Sequence, residues 1–172
     1  MKAAYVKAMD ALYLLCVAIA GISMIVMTIV IPYGVFVRYV LNDAASWPEP
    51  LSVLLMIVFS FLGGAACYRA NSHMSVTMFT DAIPERLRPF SVWLIDLSMA
   101  ALALFTIIWG FGLVKTVWYQ VVGEFPFLSV GFTYLPIPVG GLITLLFILE
   151  RVWIGPPPPD SIVYREPASS TD

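Results

Sequence analysis

Charge and polarity are scarce in this sequence, so the few residues able to do chemistry stand out. In "FLGGAACYRANSHMSV" (Phe61–Val76) an apolar run ends at Arg69, and His73, the only histidine, follows four residues later. A histidine there can be a ligand, a proton carrier or a marker of where an apolar segment ends. One histidine cannot bind a haem between two, and no GxSxG nucleophile motif accompanies it for a triad. The simplest reading is a polar residue at a membrane interface; a partner contact or a pH sensor are the alternatives. Asp96 lies one to two turns into another apolar run. An aspartate at the centre of a membrane helix costs about 2.5–3.5 kcal/mol, and less near an interface. It could bind a cation or a proton, but pairing with Arg88 or Arg86, or with a partner subunit, is the reading preferred here. Glu49 sits in "WPEPL" (Trp47–Leu51). Prolines suit a first helical turn, an acid there complements the helix dipole, and tryptophan anchors at interfaces.

The elements that must position these residues follow from composition. The 172 residues are 60% hydrophobic and 12% charged, with net charge −2 and mean hydropathy +0.91. Soluble domains carry about 25% charged residues, so this chain belongs in a bilayer. No basic patch suggests nucleic acid. Cys16 and Cys67 both lie in apolar runs and read as small hydrophobes. With no CxxC or Cys/His cluster, neither a structural metal nor a cofactor is expected. No nucleotide-binding motif is present.

A spanning helix needs about 20 mostly apolar residues, and such segments must be helical to satisfy their own backbone. Four qualify, at about 11–37, 50–68, 90–114 and 132–153. The first is too long for the apolar core of a signal peptide and reads as an uncleaved anchor. Lys2, Lys7, Arg69, Arg86, Arg88, Arg151 and Arg165 fall on one side, against Arg38 and Lys115 on the other. The positive-inside bias then puts both termini in the cytoplasm. Between spans two and three, uneven apolar spacing predicts a short amphipathic helix over about 72–83, lying in the interface. "PERLRPF" after it suits anionic lipid. "IGPPPPDSIVYREPASSTD" reads as a proline-rich, disordered tail over 155–172, leaving 1–154 as the membrane domain. The expected fold class is therefore an all-α membrane protein with four transmembrane helices plus one interfacial helix. Gly63 and Gly64 suggest close helix packing, and Pro136 and Pro138 in "YLPIPVGG" suggest a helix start or kink.

Taken in order, "FVRYVLN" (Phe36–Asn42), "WPEPL", "FLGGAACYRANSHMSV", "IPERLRP" (Ile83–Pro89) and "YLPIPVG" (Tyr134–Gly140) resemble the small membrane subunit of tripartite ATP-independent periplasmic (TRAP) transporters, the DctQ-like family. The resemblance covers roughly Asp10 to Val152. The chain departs from the family pattern at Pro50, which replaces a second acid after Trp-x-Glu. It departs again at "RANSH", where a basic-Gly-Glu-His run is common, and at Thr77, where an aspartate often stands. The resemblance implies a non-catalytic subunit of the bacterial inner membrane. Its partners would be a large multi-span membrane subunit, a periplasmic substrate-binding protein and membrane lipids. The large subunit would carry an organic acid and sodium, while the small one supports its scaffold and helps dock the binding protein. Arg38, Asn42, Trp47, Glu49, Arg69, His73 and Asp96 are the candidate contacts; Gly63, Gly64, Pro138 and Gly140 are the candidate packing positions. The competing readings are the membrane anchor of a redox enzyme, which would need paired histidines for haem, and a small homo-oligomeric transporter, which would need an acid deep in a span.

Overall fold

The computed structural model describes residues 2–43, 45–70, 88–123 and 125–155. Helix α1 (Lys2–Tyr39) runs through the longest apolar stretch and contains Pro32. That proline cannot donate to the carbonyl four residues back, yet the helix continues through it. At 1.5 Å per residue its 38 residues rise about 57 Å, well beyond the ~30 Å hydrocarbon core. It begins before the expected residue 11, so Asp10 lies inside the helix rather than at its boundary. Its end is marked by Asn42 in the left-handed region (φ 52°), a conformation Asn tolerates better than most residues. The Asp43 N–H then bonds back to the Val37 carbonyl.

Helix α2 (Pro48–Arg69) starts with proline in its first turn and Glu49 beside it. Helix α3 (Arg88–Val117) is followed by an antiparallel hairpin, β1 (Val121–Val122) with β2 (Phe125–Ser129). A loop was expected across this stretch. The β-branched pair Val121–Val122 forms the first strand and Gly123 enters the turn, but two residues are too few to show any periodicity. Ser129 caps the short helix α4 (Val130–Tyr134), accepting from the Gly131 N–H at 3.1 Å. Helix α5 (Pro136–Ile154) opens on Pro136 and closes at Gly155, whose φ of 99° suits glycine. Four segments are long and apolar enough to cross a membrane: Tyr5–Tyr39, Pro48–Arg69, Trp93–Val117 and Val130–Ile154, the last combining α4 and α5. The expected interfacial helix at about 72–83 lies outside the described residues, as does the tail beyond Gly155.

The spanning helices form a row rather than a closed bundle. α1 packs on α2, α2 on α5 and α5 on α3. Two adjacent glycines let α5 sit between its neighbours. A Cβ on Gly140 would lie 2.7 Å from Phe61 Cβ and 3.0 Å from the Phe61 carbonyl on α2. A Cβ on Gly141 would collide with Thr106 on α3. Pro138, fully buried, faces Gly110 of α3 across a similarly tight gap. Of the other candidate packing positions, Gly63 makes only an ordinary approach to Ala20, and Gly64 has nothing within 4 Å of where a Cβ would be. The α2 residues that do bury are Leu62, Ala65, Ala66 and Tyr68, with Pro48 and Arg69 at the two ends of the helix. At one end, Met9, Ala65, Tyr68, Ala103, Phe147 and Ile148 form a cluster drawing on all four spans. There the edge-on rings of Tyr5 and Trp153, 6.2 Å apart, join the start of α1 to the end of α5. By the lysine and arginine count this is the end expected to face inward, the inner end, and Asn42 and Trp47 mark the opposite, outer end.

Candidate functional site

The inner end carries two interlocked charge clusters. In the first, Arg69 at the end of α2 reaches both acids of its neighbours. Its Nε and Nη2 donate to the Glu150 carboxylate of α5, both at 2.8 Å, and Nη2 also donates to Asp10 Oδ1 of α1 at 2.7 Å. The fork geometry of guanidinium suits a two-point grip on carboxylate. The Arg69 side chain is only 2% exposed and Glu150 7%, so the charges depend on one another rather than on water. The rings of Tyr13 and Phe147 lie 5.7 and 5.4 Å from the guanidinium carbon, within cation–π range. Arg69 Nη1 is buried without a hydrogen-bond partner among the described residues.

The second cluster uses the adjacent residues. Tyr68 donates its hydroxyl to Asp96 Oδ1 of α3 at 2.9 Å, and Arg151 of α5 approaches Asp96 Oδ2 at 3.6 Å. Arg151 also lies over the Tyr68 ring. Tyr68–Arg69 on α2 and Glu150–Arg151 on α5 are consecutive pairs. Arg69, gripping Glu150, ties the centre of the row to α1, and Tyr68 and Arg151 tie it to α3. Every spanning helix is therefore fastened at this level.

The sequence candidates distribute unevenly over this geometry. Arg69 is held inside the chain rather than presented to a partner. Asp96 meets Tyr68 and Arg151; the partners expected for it, Arg86 and the Arg88 side chain, lie outside the described residues. His73 also lies outside them. Asp10, Tyr68, Glu150 and Arg151 were not singled out beforehand. Their signal was topological: the inner ends of successive spans place Asp10, Arg69 and Glu150 at one depth, where opposite charges must pair.

The outer end is different. Trp47 precedes α2 and packs its ring on Tyr33 of α1, centroids 5.7 Å apart. Arg38 and Glu49 form no ion pair with each other or with any other described residue. Both border a groove of about 870 Å³ lined by α1, α2, β1 and α4. Thr133, whose Oγ1 is buried without a partner among the described residues, also lines it. Between the two ends, several hydroxyls are spent on their own helices. Thr28, Ser52, Ser98, Thr106, Thr116 and Thr144 each donate to a carbonyl three or four residues earlier. No group of His, Cys, Asp and Glu among the described residues could hold a metal.

Four apolar spans fastened by paired charges define a multi-pass integral membrane protein. The family model for tripartite ATP-independent periplasmic transporters, DctQ component, matches residues 27–155, and the chain belongs to that family. It is similar to the sialic acid TRAP transporter small permease protein SiaQ of Vibrio cholerae, 27% identical over 131 residues, 72% of this chain and 71% of the relative. It is also similar to a putative TRAP transporter small permease protein of Haemophilus influenzae, 25% identical over 142 residues, 83% of this chain and 85% of the relative. The chain is thus a small permease subunit, a non-catalytic transporter component of the bacterial inner membrane. Its family works with a large membrane subunit and a periplasmic binding protein.

Proposed function

We propose that this chain assembles with a large multi-span permease subunit, supports the static scaffold of that subunit, and helps receive a periplasmic substrate-binding protein during sodium-coupled uptake of an organic acid. One observation carries the supporting role: the span hydroxyls named above bond to their own backbones, and the buried charges are paired at one end. A chain that moved a hydrophilic acid by itself would need polar groups free to replace water along the path. The broad exposed apolar surfaces of α1 and α3 suit lipid and a larger membrane partner. The excess of lysine and arginine at the inner end favours cytoplasmic termini, which turns Arg38, Asn42, Asp43, Glu49 and Lys115 toward the periplasm. The segment over 72–83 would lie along the cytoplasmic interface. That the relative in Vibrio cholerae is named for sialic acid agrees with an organic acid as the substrate class.

The test is a mild-detergent purification of the tagged chain from its native membranes. Recovery of a large multi-span subunit at near-equal stoichiometry, and loss of sodium-driven uptake on deleting this chain, are the expected results. Recovery of the chain alone, or with a soluble catalytic subunit, would overturn the proposal.

A further inference from the structure

The outer-end groove has a shape and a charge pattern that scaffolding does not use. Along α1 it runs from Arg38 down through Val35 and Ile31 to Met27. Eleven residues of helix rise about 16 Å, close to the ~15 Å of a single leaflet of hydrocarbon. Val53 and Met56 of α2 form the facing wall, and Ile31, Val35, Val53 and Met56 are 44–52% exposed, so the groove opens sideways. Deeper in the membrane α1 and α2 close on each other through Cys16, Leu62 and Ala66. The trough thus stops at mid-membrane. A spanning helix of a partner, about 10 Å wide, would need it to continue through both leaflets; an acyl chain would not.

The polar end narrows the choice further. Arg38 and Glu49 both border the groove at the ends of the apolar spans Tyr5–Tyr39 and Pro48–Arg69, the level that span length assigns to headgroups, and they do not pair with each other. An unpaired cation beside an unpaired anion matches a ligand that carries both charges. We infer that this groove is a binding site for one zwitterionic phospholipid of the phosphoethanolamine class, with its phosphate on Arg38, its ammonium on Glu49 and one acyl chain in the trough. A guanidinium donates well to phosphate oxygens. A primary ammonium can donate hydrogen bonds to a carboxylate, which a quaternary one cannot. Anionic phospholipids would satisfy Arg38 but meet Glu49 as a like charge. The inference concerns the chain and its bilayer and does not depend on which complex the chain joins.

The first experiment reconstitutes the full chain in vesicles of equal parts phosphatidylethanolamine and phosphatidylglycerol. The chain is then extracted in mild detergent and its retained lipid weighed by native mass spectrometry. One phosphatidylethanolamine per chain is expected, favoured at least fivefold over phosphatidylglycerol. Arg38→Ala, at an exposed position, and Val53→Trp, which fills the trough, should each lower retention at least tenfold while circular dichroism stays unchanged. No retained lipid, equal retention of both lipids, or retention indifferent to both variants would overturn the assignment. The second experiment places a photoreactive side chain at Val35 in native membranes, where any partner is present. An adduct heavier by one phospholipid supports the site; an adduct to protein assigns the groove to a partner instead and sinks the proposal.

Discussion

The two ends of this small permease subunit treat charge in opposite ways. At the inner end Asp10, Arg69, Glu150, Asp96 and Arg151 are drawn together from four helices and paired, with Arg69 and Glu150 buried. At the outer end Arg38 and Glu49 border one groove and pair with no other charge among the described residues. Charges of the first kind determine whether the chain folds. Charges of the second kind can be altered without touching the fold, so any loss that follows is a loss of interaction with something outside it.

The sharpest way to break this contrast is Arg69→Ala. It leaves Glu150, 7% exposed, and Asp10 without their counter-charge. Removing one partner of a buried pair costs about 3–5 kcal/mol, a large part of the roughly 5–15 kcal/mol that holds a domain together. The variant should accumulate poorly and lose its monodisperse peak on size exclusion in detergent. Arg69→Lys should recover part of the loss, because the positive charge that Glu150 and Asp10 share survives without the fork. Arg69→Ala with unchanged yield and melting temperature would show that the inner cluster does not hold the row of helices.

Next in size is Gly140→Ala. The new methyl would press on the side chain and carbonyl of Phe61, and overpacking of this kind costs about 1–3 kcal/mol. Gly64→Ala is the control: with open space around it, it should leave thermal unfolding unchanged or slightly improved, since alanine favours a helix over glycine. Tyr68→Phe should follow at about 1.5 kcal/mol, the usual scale for a hydrogen bond to a charged acceptor. Asp96 keeps Arg151 in that variant, so the melting temperature should fall without loss of the folded peak. Equal melting temperatures for Gly140→Ala and Gly64→Ala would remove the argument that α5 is seated by its glycines.

Much of the architecture was legible because the bilayer demands it. Runs of apolar residues as long as a membrane is thick have one available conformation, and lysine and arginine mark where they end. The glycines were harder. Gly63–Gly64 and Gly140–Gly141 look alike as letters, yet only the second pair faces helices on both sides. Which side of a helix meets a neighbour depends on the order of the row, and that order places α5, last in the chain, between α2 and α3. The inner clusters were obscured for a related reason. Asp10 and Glu150 read as the charges that terminate spans, and each is ordinary alone. Only the adjacency of α1, α2 and α5 turns them into the two ligands of Arg69. The hairpin after α3 was beyond reach, being too short for any pattern to accumulate.

The smallest effect on stability, and the most informative about function, belongs to Glu49→Lys. In the first turn of α2 the glutamate complements the helix dipole by about 0.3–1 kcal/mol, so the melting temperature should shift only slightly. Uptake at matched expression should nevertheless fall more than with Asp160→Lys in the polar tail, because Glu49 borders the groove at the outer end. Here the double reversal, Arg38→Glu with Glu49→Arg, separates the two ends of the molecule. At the inner end Arg69→Lys restores stability because the charge itself holds Glu150 and Asp10. At the outer end Arg38 and Glu49 do not hold each other, so the reversal has no stability to restore, and a ligand or partner that reads their order would still be lost. Uptake that recovers in the double variant would mean that the two side chains act on each other after all, and the distinction between spent and unspent charge would fail.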